Sequence, residues 1–277
     1  MEPKTCLRAG KLDRSLHFYR QIGFEVHSCQ EQQALISYGG HTLVLAELDQ
    51  DWEGTNLFRP MPAKDLIYFH TSLTEAMKGK CKLAGASFYE MNYEWENALV
   101  VYDPEGYKLM FKEAKALSDK RILELYEQGI HSLHSAVEGV TVAQLDEKSD
   151  TEEWSIRQEV HHLIEEDLTS LMRIKMTLAE PGRVFHSNVL DFDVWQSALP
   201  YDRLPIEYSI TMFEAIRKHV LQLVAMTDDP MNRYLVTNGR HVYLRDSLRR
   251  LAGHVLEHTH HIMERRGMQV AYTQSER

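Results

Sequence analysis

The sequence predicts an α+β N-terminal domain of paired βαβββ modules over residues 1–114, followed by an all-α four-helix bundle over residues 115–277. Three observations carry this. The hydrophobic period changes near residue 115 from short strand-like alternation to a helical repeat. The first part runs twice through one order of elements. The second part holds four long amphipathic stripes, enough for a bundle.

In the first module, Thr5–Ala9 reads as a strand and Asp13–Gln21 as a helix with Leu12, Leu16 and Tyr19 on one face. Gly23 closes that helix, and strands follow at Phe24–Ser28, Ala34–Tyr38 and His41–Leu45. The second module repeats the plan. Strand Leu66–Thr71 leads to helix Thr74–Leu83, closed by Gly85, and then to strands Ser87–Glu90, Asn97–Tyr102 and Tyr107–Lys112. A glycine just past each helix suits a left-handed cap. Gly39-Gly40 and Pro104-Glu105-Gly106 supply hairpin turns.

From Ser118 the stripes are Ile122/Tyr126/Ile130/Leu133/Val137, Val160/Ile164/Leu168/Leu171, Ile206/Ile210/Phe213/Ile216/Val220 and Leu244/Leu248/Leu251/Val255/Ile262. Asp150, Thr151, Glu152 and Glu153 give acidic start signals for the second helix, and Gly267 ends the fourth. Pro181–Leu204 is long for a bundle connection, and loops of that length are often functional; it carries Trp195, Asp191, Asp193 and Asp202.

Composition narrows the function classes. A net charge of -10, from Lys+Arg 31 against Asp+Glu 41, argues against nucleic acid or an anionic membrane as partner. With no apolar signal core after Met1 and no apolar run of ~20 residues, the expected location is cytoplasmic. Cys6, Cys29 and Cys81 form no CxxC and read as buried thiols of a reducing compartment. The partners expected are a small-molecule substrate and a second copy of the chain.

His254 and His258 lie four apart in the predicted helix Arg245–Arg266, so their imidazoles stack on one face. A third nitrogen comes from the His161-His162 pair. Three neutral ligands with open positions fit a catalytic rather than a structural ion. Helical periodicity places His161 nearer the apolar stripe and His162 nearer Glu165 and Glu166, so it favours His161 as third ligand. His261 shares the face of His254 and His258 and suits an outer position supporting them.

Two resemblances add to this. Thr5-Cys6-Leu7-Arg8, Ser15-Leu16-His17-Phe18-Tyr19 leading to Gly23-Phe24, and Asp103-Pro104-Glu105-Gly106-Tyr107 resemble the vicinal oxygen chelate (glyoxalase/bleomycin-resistance) superfamily over residues 4–113. At that family's metal-ligand places stand Lys4, Asp65 or Leu66, and Met110, so the resemblance implies a cupped sheet without its metal. His70 is displaced from the ligand place and reads as a half-buried strand residue. Residues 118–268 resemble the DinB/YfiT-like family through Trp154–Leu163, Asp191-Phe192-Asp193-Val194-Trp195 and Gly253-His254-Val255-Leu256-Glu257-His258. That resemblance implies His162, His254 and His258 as ligands of Zn²⁺ or Ni²⁺, with His161 as the alternative to His162.

The function implied is a metal-dependent hydrolase or a bacillithiol-type thiol S-transferase, with a low-molecular-weight thiol as cosubstrate in the second case. Glu166, one turn from His162, is the candidate base, and Trp195 a candidate pocket wall. The contrasting expectation is a non-catalytic protein that sequesters a small molecule and carries a structural metal.

Overall fold

The computed structural model describes residues 5–30, 32–47, 66–71, 74–148, 154–186, 190–237 and 239–268. These fall into two compact units, one ending at Ala116 and the other beginning at Leu117.

The first unit contains the two βαβββ modules. The first comprises β1 (Thr5–Ala9), α1 (Leu12–Gln21), β2 (Glu25–Gln30), β3 (Gln33–Tyr38) and β4 (His41–Glu47). The second comprises β5 (Leu66–His70), α2 (Thr74–Leu83), β6 (Phe88–Asn92), β7 (Glu96–Tyr102) and β8 (Lys108–Ala114). Each forms a four-stranded sheet, ordered β1-β4-β3-β2 and β5-β8-β7-β6, whose first strand runs parallel to its last. Gly23 and Gly85, at φ of 101° and 66°, turn the chain out of the helices, a backbone conformation open to glycine at little cost.

One core joins the modules, with Leu16 and Tyr19 of α1 and Met77 and Cys81 of α2 packed among Ile36, Leu45, Phe69, Leu99 and Phe111. The residues carrying the first resemblance stitch the modules together. Tyr19 donates its hydroxyl proton to Asp103 Oδ2 at 2.9 Å, and the Arg8 amide donates to the Tyr107 hydroxyl at 3.0 Å. Asp103 Oδ1 accepts the amides of Glu105 and Tyr107, closing the turn on itself. Met110 packs with Ala98 and Val100 in a separate apolar cluster, while Lys4 and Asp65 lie outside the described residues. His70 is exposed rather than half-buried: in a strand whose alternate residues Ile67 and Phe69 face the core, it points the other way. Cys6 and Cys81 are buried but Cys29 is exposed, because β2 is an edge strand with an outward-facing C-terminal half.

The second unit is the helical bundle. Its long helices are α3 (Asp119–Val137), α5 (Ile156–Ala179), α7 (Glu207–Ala225) and α8 (Leu244–Arg265), with short helices α4 (Val142–Asp146) and α6 (Phe192–Ala198) between them. A hairpin of β9 (Tyr234–Thr237) and β10 (Arg240–Tyr243) precedes α8. The acidic start signals 150–153 fall outside the described residues. The cap of α5 is Ser155, whose hydroxyl accepts the Gln158 amide while the Gln158 side chain accepts the Ser155 amide.

The stripe of α5 departs from the expected one at Leu168, which is 42% exposed, while its neighbour Asp167 is buried. The cause is Arg217 of α7, wholly buried and paired with Asp167 at 2.6 Å. It also donates to the carbonyls of Tyr126 at 2.7 Å and Leu251 at 2.9 Å, so one guanidinium links all four long helices. Gly129 makes room for it, since a Cβ there would stand 2.4 Å from Arg217 Nη1.

Candidate metal centre

The first turns of α5 are buried without a break from Ile156 to Ile164, so that segment lacks a solvent face. His161 and His162 therefore point to two interiors. His161 Nε2 lies 3.1 Å from the Leu204 carbonyl, which only accepts, so Nε2 carries the proton; Nδ1, 3.0 Å from Ser209 Oγ, accepts from that hydroxyl. With both nitrogens occupied and its ring stacked on Tyr201 at 4.7 Å, His161 secures the connection before α7. Periodicity favoured His161 as third ligand; the structure brings His162 to the other two histidines instead.

His162 Nε2 lies 3.1 Å from His254 Nε2. Ring centroids are 5.0 Å apart for His162 and His254, 5.2 Å for His162 and His258, and 4.6 Å for His254 and His258. One ligand atom from each falls within 4.8 Å of the others, and among the described residues this is the one group so placed. Two nitrogens each ~2.1 Å from a tetrahedral ion would stand about 3.4 Å apart, so the spacing suits a shared ion. Burial, reinforced by His258, pushes His162 down to about 3, so its imidazole stays neutral and able to ligate.

Glu159, one turn before His162, was not singled out from the sequence, although an i,i+3 spacing puts it on the same face. It is buried, and its carboxylate accepts from His258 Nδ1 at 3.2 Å, from His261 Nδ1 at 3.2 Å and from Arg265 Nη1 at 2.8 Å. Burial alone would raise its pKa, but the hydrogen bonds from His258 and His261 hold it at about 2. A carboxylate on Nδ1 fixes the tautomer of His258 and leaves Nε2 as a lone-pair donor, the usual support of a metal-bound imidazole. His261 sits where its face predicted, on the outer side of Glu159.

Aromatic rings wall the triad. Trp154 and Phe192 each lie 4.8 Å from the His162 ring. Trp195, the expected wall, stands one ring further out, edge-on to Phe192 at 5.6 Å. Asp191 caps α6 through the Val194 amide, and Asp193 accepts from the Trp154 indole, so α6 is folded onto the site. Asp202 lies 3.6 Å from Arg203 at the surface. Glu166 is held by Arg250 Nη1 at 2.6 Å, and the Glu165 carboxylate accepts the Tyr201 hydroxyl.

Fold and site together define a bundle with a three-histidine centre at the α5/α8 seam. Residues 125–262 match the model of the DinB superfamily. A Bacillus cereus (strain G9842) protein named "putative metal-dependent hydrolase" is 28% identical over 94 residues, 34% of this chain and 53% of its own length. The chain thus spans about half the length of the curated relatives it matches. Among solved structures, YfiT from Bacillus subtilis, titled "a probable metal-dependent hydrolase with an unusual four-helix bundle topology", is 21% identical at a TM-score of 0.49, covering 56% of this chain and 93% of its own. A glyoxalase/bleomycin resistance protein/dioxygenase from Alicyclobacillus acidocaldarius is similar over 41% of this chain and 90% of its own, with 20% identity and a TM-score of 0.32. Among the described residues no helix is long and apolar enough to cross a membrane.

Proposed function

We propose that the C-terminal bundle is a metal-dependent hydrolase in which His162, His254 and His258 hold a zinc or nickel ion. The observation that carries this is the convergence of three imidazoles from two helices, with His258 backed by a buried carboxylate. The hydrolase names borne by relatives support the reaction class. When bound, the ion supplies Lewis acidity and makes a water or thiol acidic enough to act as a nucleophile near neutral pH.

The chain's own residues do the rest. Trp154 and Phe192 shield His162 from solvent and give the substrate an apolar wall, with Trp195 bracing Phe192 from outside. Of the nearby carboxylates, Glu159 is committed to His258, His261 and Arg265, and Glu165 to Tyr201. Glu166, one turn from His162 and ion-paired through one oxygen to Arg250 at 2.6 Å, is the carboxylate we assign to take the proton of the nucleophile. In this reading the N-terminal domain expected over residues 1–114 binds a small molecule or pairs two chains.

The test is turnover of ester and amide panels, and of electrophiles with a low-molecular-weight thiol, by zinc-loaded, nickel-loaded and metal-free protein. Circular dichroism is recorded on the same samples. Turnover in loaded wild type, lost in His254→Ala with helicity retained, is the expected result. Undiminished turnover in metal-free protein would overturn the mechanism. Helicity lost in step with the metal would assign the ion a structural role.

A further inference from the structure

We propose that the α5/α8 seam beside the histidine triad is an anion subsite, in which Arg173 and Arg250 grip a carboxylate or phosphate group of the substrate. This rests on the metal-dependent reading above, whose substrate it narrows to an anionic small molecule.

The two helices run antiparallel here, so one seam can be followed in both. On α5 the seam passes from His162 to Glu166, Ser170 and Arg173; on α8 it passes from His254 to Arg250. Arg173 Nη2 lies 3.2 Å and Arg250 Nη2 3.4 Å from the same Ser170 hydroxyl oxygen. Two guanidinium groups thus converge on one neutral oxygen that is itself buried. The carboxylate given to the pair is Glu166, 2.6 Å from Arg250 Nη1. Arg173 makes no direct ion pair among the described residues and feels Glu166 only at a distance, and its Nε is buried without a hydrogen-bond partner.

Two cations against one anion in a half-buried seam leave an excess positive charge that water only partly screens, an arrangement that costs free energy until an anion completes it. Consistently, burial and the neighbouring Arg250 both lower the Arg173 pKa. Arginine forks match the oxygens of carboxylate or phosphate. Arg250 is 42% exposed, so an anion can reach the pair from solvent. Arg250 is one turn from His254 and Ser170 two turns from His162, which sets the anionic group about 6–12 Å along the seam from the reacting atom.

The test uses cobalt(II)-loaded full-length protein titrated with 4-mercaptobutyrate, 6-mercaptohexanoate, 8-mercaptooctanoate, whose carboxylates reach along the span between ion and arginine pair, and with 2-mercaptoethanol and cysteamine, reading the thiolate-to-cobalt absorption band. At least one mercaptocarboxylate should bind about tenfold more tightly than 2-mercaptoethanol, and cysteamine more weakly. Arg173→Gln should remove that preference, Arg173→Lys should keep part of it, and 2-mercaptoethanol affinity should stay unchanged in both. Equal affinity for charged and neutral thiols in wild type, or a preference that survives in both Arg173→Gln and Arg250→Gln, overturns the subsite.

A second arm separates this proposal from the metal reading. Metal-free protein is titrated with inorganic phosphate while the arginine side-chain ¹⁵Nε signals are followed. A saturable shift of Arg173, absent in Arg250→Gln, supports the subsite even if no cobalt band forms. No shift in wild type overturns it even if cobalt binds to the triad.

Discussion

His258 donates Nδ1–H to Glu159 at 3.2 Å, and the same carboxylate is anchored by Arg265 at 2.8 Å. Arg265 is itself fixed by donation to the Trp154 carbonyl at 3.0 Å, so the entrance to α5 and the end of α8 hold the ligand's orientation between them. Replacing Glu159 with Gln keeps the shape but weakens the acceptor and removes the charge that favours an imidazole bound to a cation. Metal affinity of Glu159→Gln should fall about 10- to 100-fold, the usual range for losing such a support. Competition with a chromophoric chelator measures it. Affinity within twofold of wild type would show that Glu159 serves the fold alone.

The Asp167–Arg217 pair, 1% and 0% exposed, should behave as a buried ion pair. Arg217→Met leaves a carboxylate without its partner in the core and should cost about 3–5 kcal/mol, whereas the double variant Arg217→Met/Asp167→Leu should cost less than the single one. Urea unfolding of the metal-free protein gives both values. Equal losses would mean that the Tyr126 and Leu251 carbonyls, rather than Asp167, carry the dependence on Arg217.

Acid should unfold the metal-free protein in a defined way. Burial, with His258 beside it, lowers His162 from 6.5 to about 3, so between those values the unfolded chain binds a proton that the folded one does not. Stability from this group is present above pH 6.5 and is lost as the pH falls toward about 3. Glu159, held at about 2 against an ordinary 4.5, contributes stability that disappears below 4.5. Melting temperature should therefore decline in two stages on acidification, and His162→Gln should flatten the first. An unaltered upper stage in that variant would assign it to other groups.

Much of this was legible in the chain. The repeated βαβββ plan showed because each helix packs its apolar face into the core with the strands and ends on a glycine with positive φ. The four long helices showed as stripes. The stripe failed where burial stops being one-sided. Ile156–Ile164 is enclosed all round, so period alone could not choose between His161 and His162. It failed again at Asp167 and Leu168, because a hydrophobic pattern cannot represent a carboxylate drawn inward by Arg217. The β9–β10 hairpin was missed although Asn238-Gly239 between Tyr234–Val236 and His241–Tyr243 is a strong turn signal. Glu159 was passed over because its role depends on α8, which no local spacing reveals.

The assignment of the centre to His162 with His254 and His258, and of His161 to a structural role, is tested most directly by the metal content of four proteins. Wild type, His161→Ala, His162→Ala and His254→Ala are each purified, loaded with zinc or nickel, dialysed and analysed for metal and protein. Wild type and His161→Ala should carry about one ion per chain, while His162→Ala and His254→Ala should carry almost none with their helical circular dichroism intact. Metal retained by His162→Ala and lost from His161→Ala would contradict the centre described here.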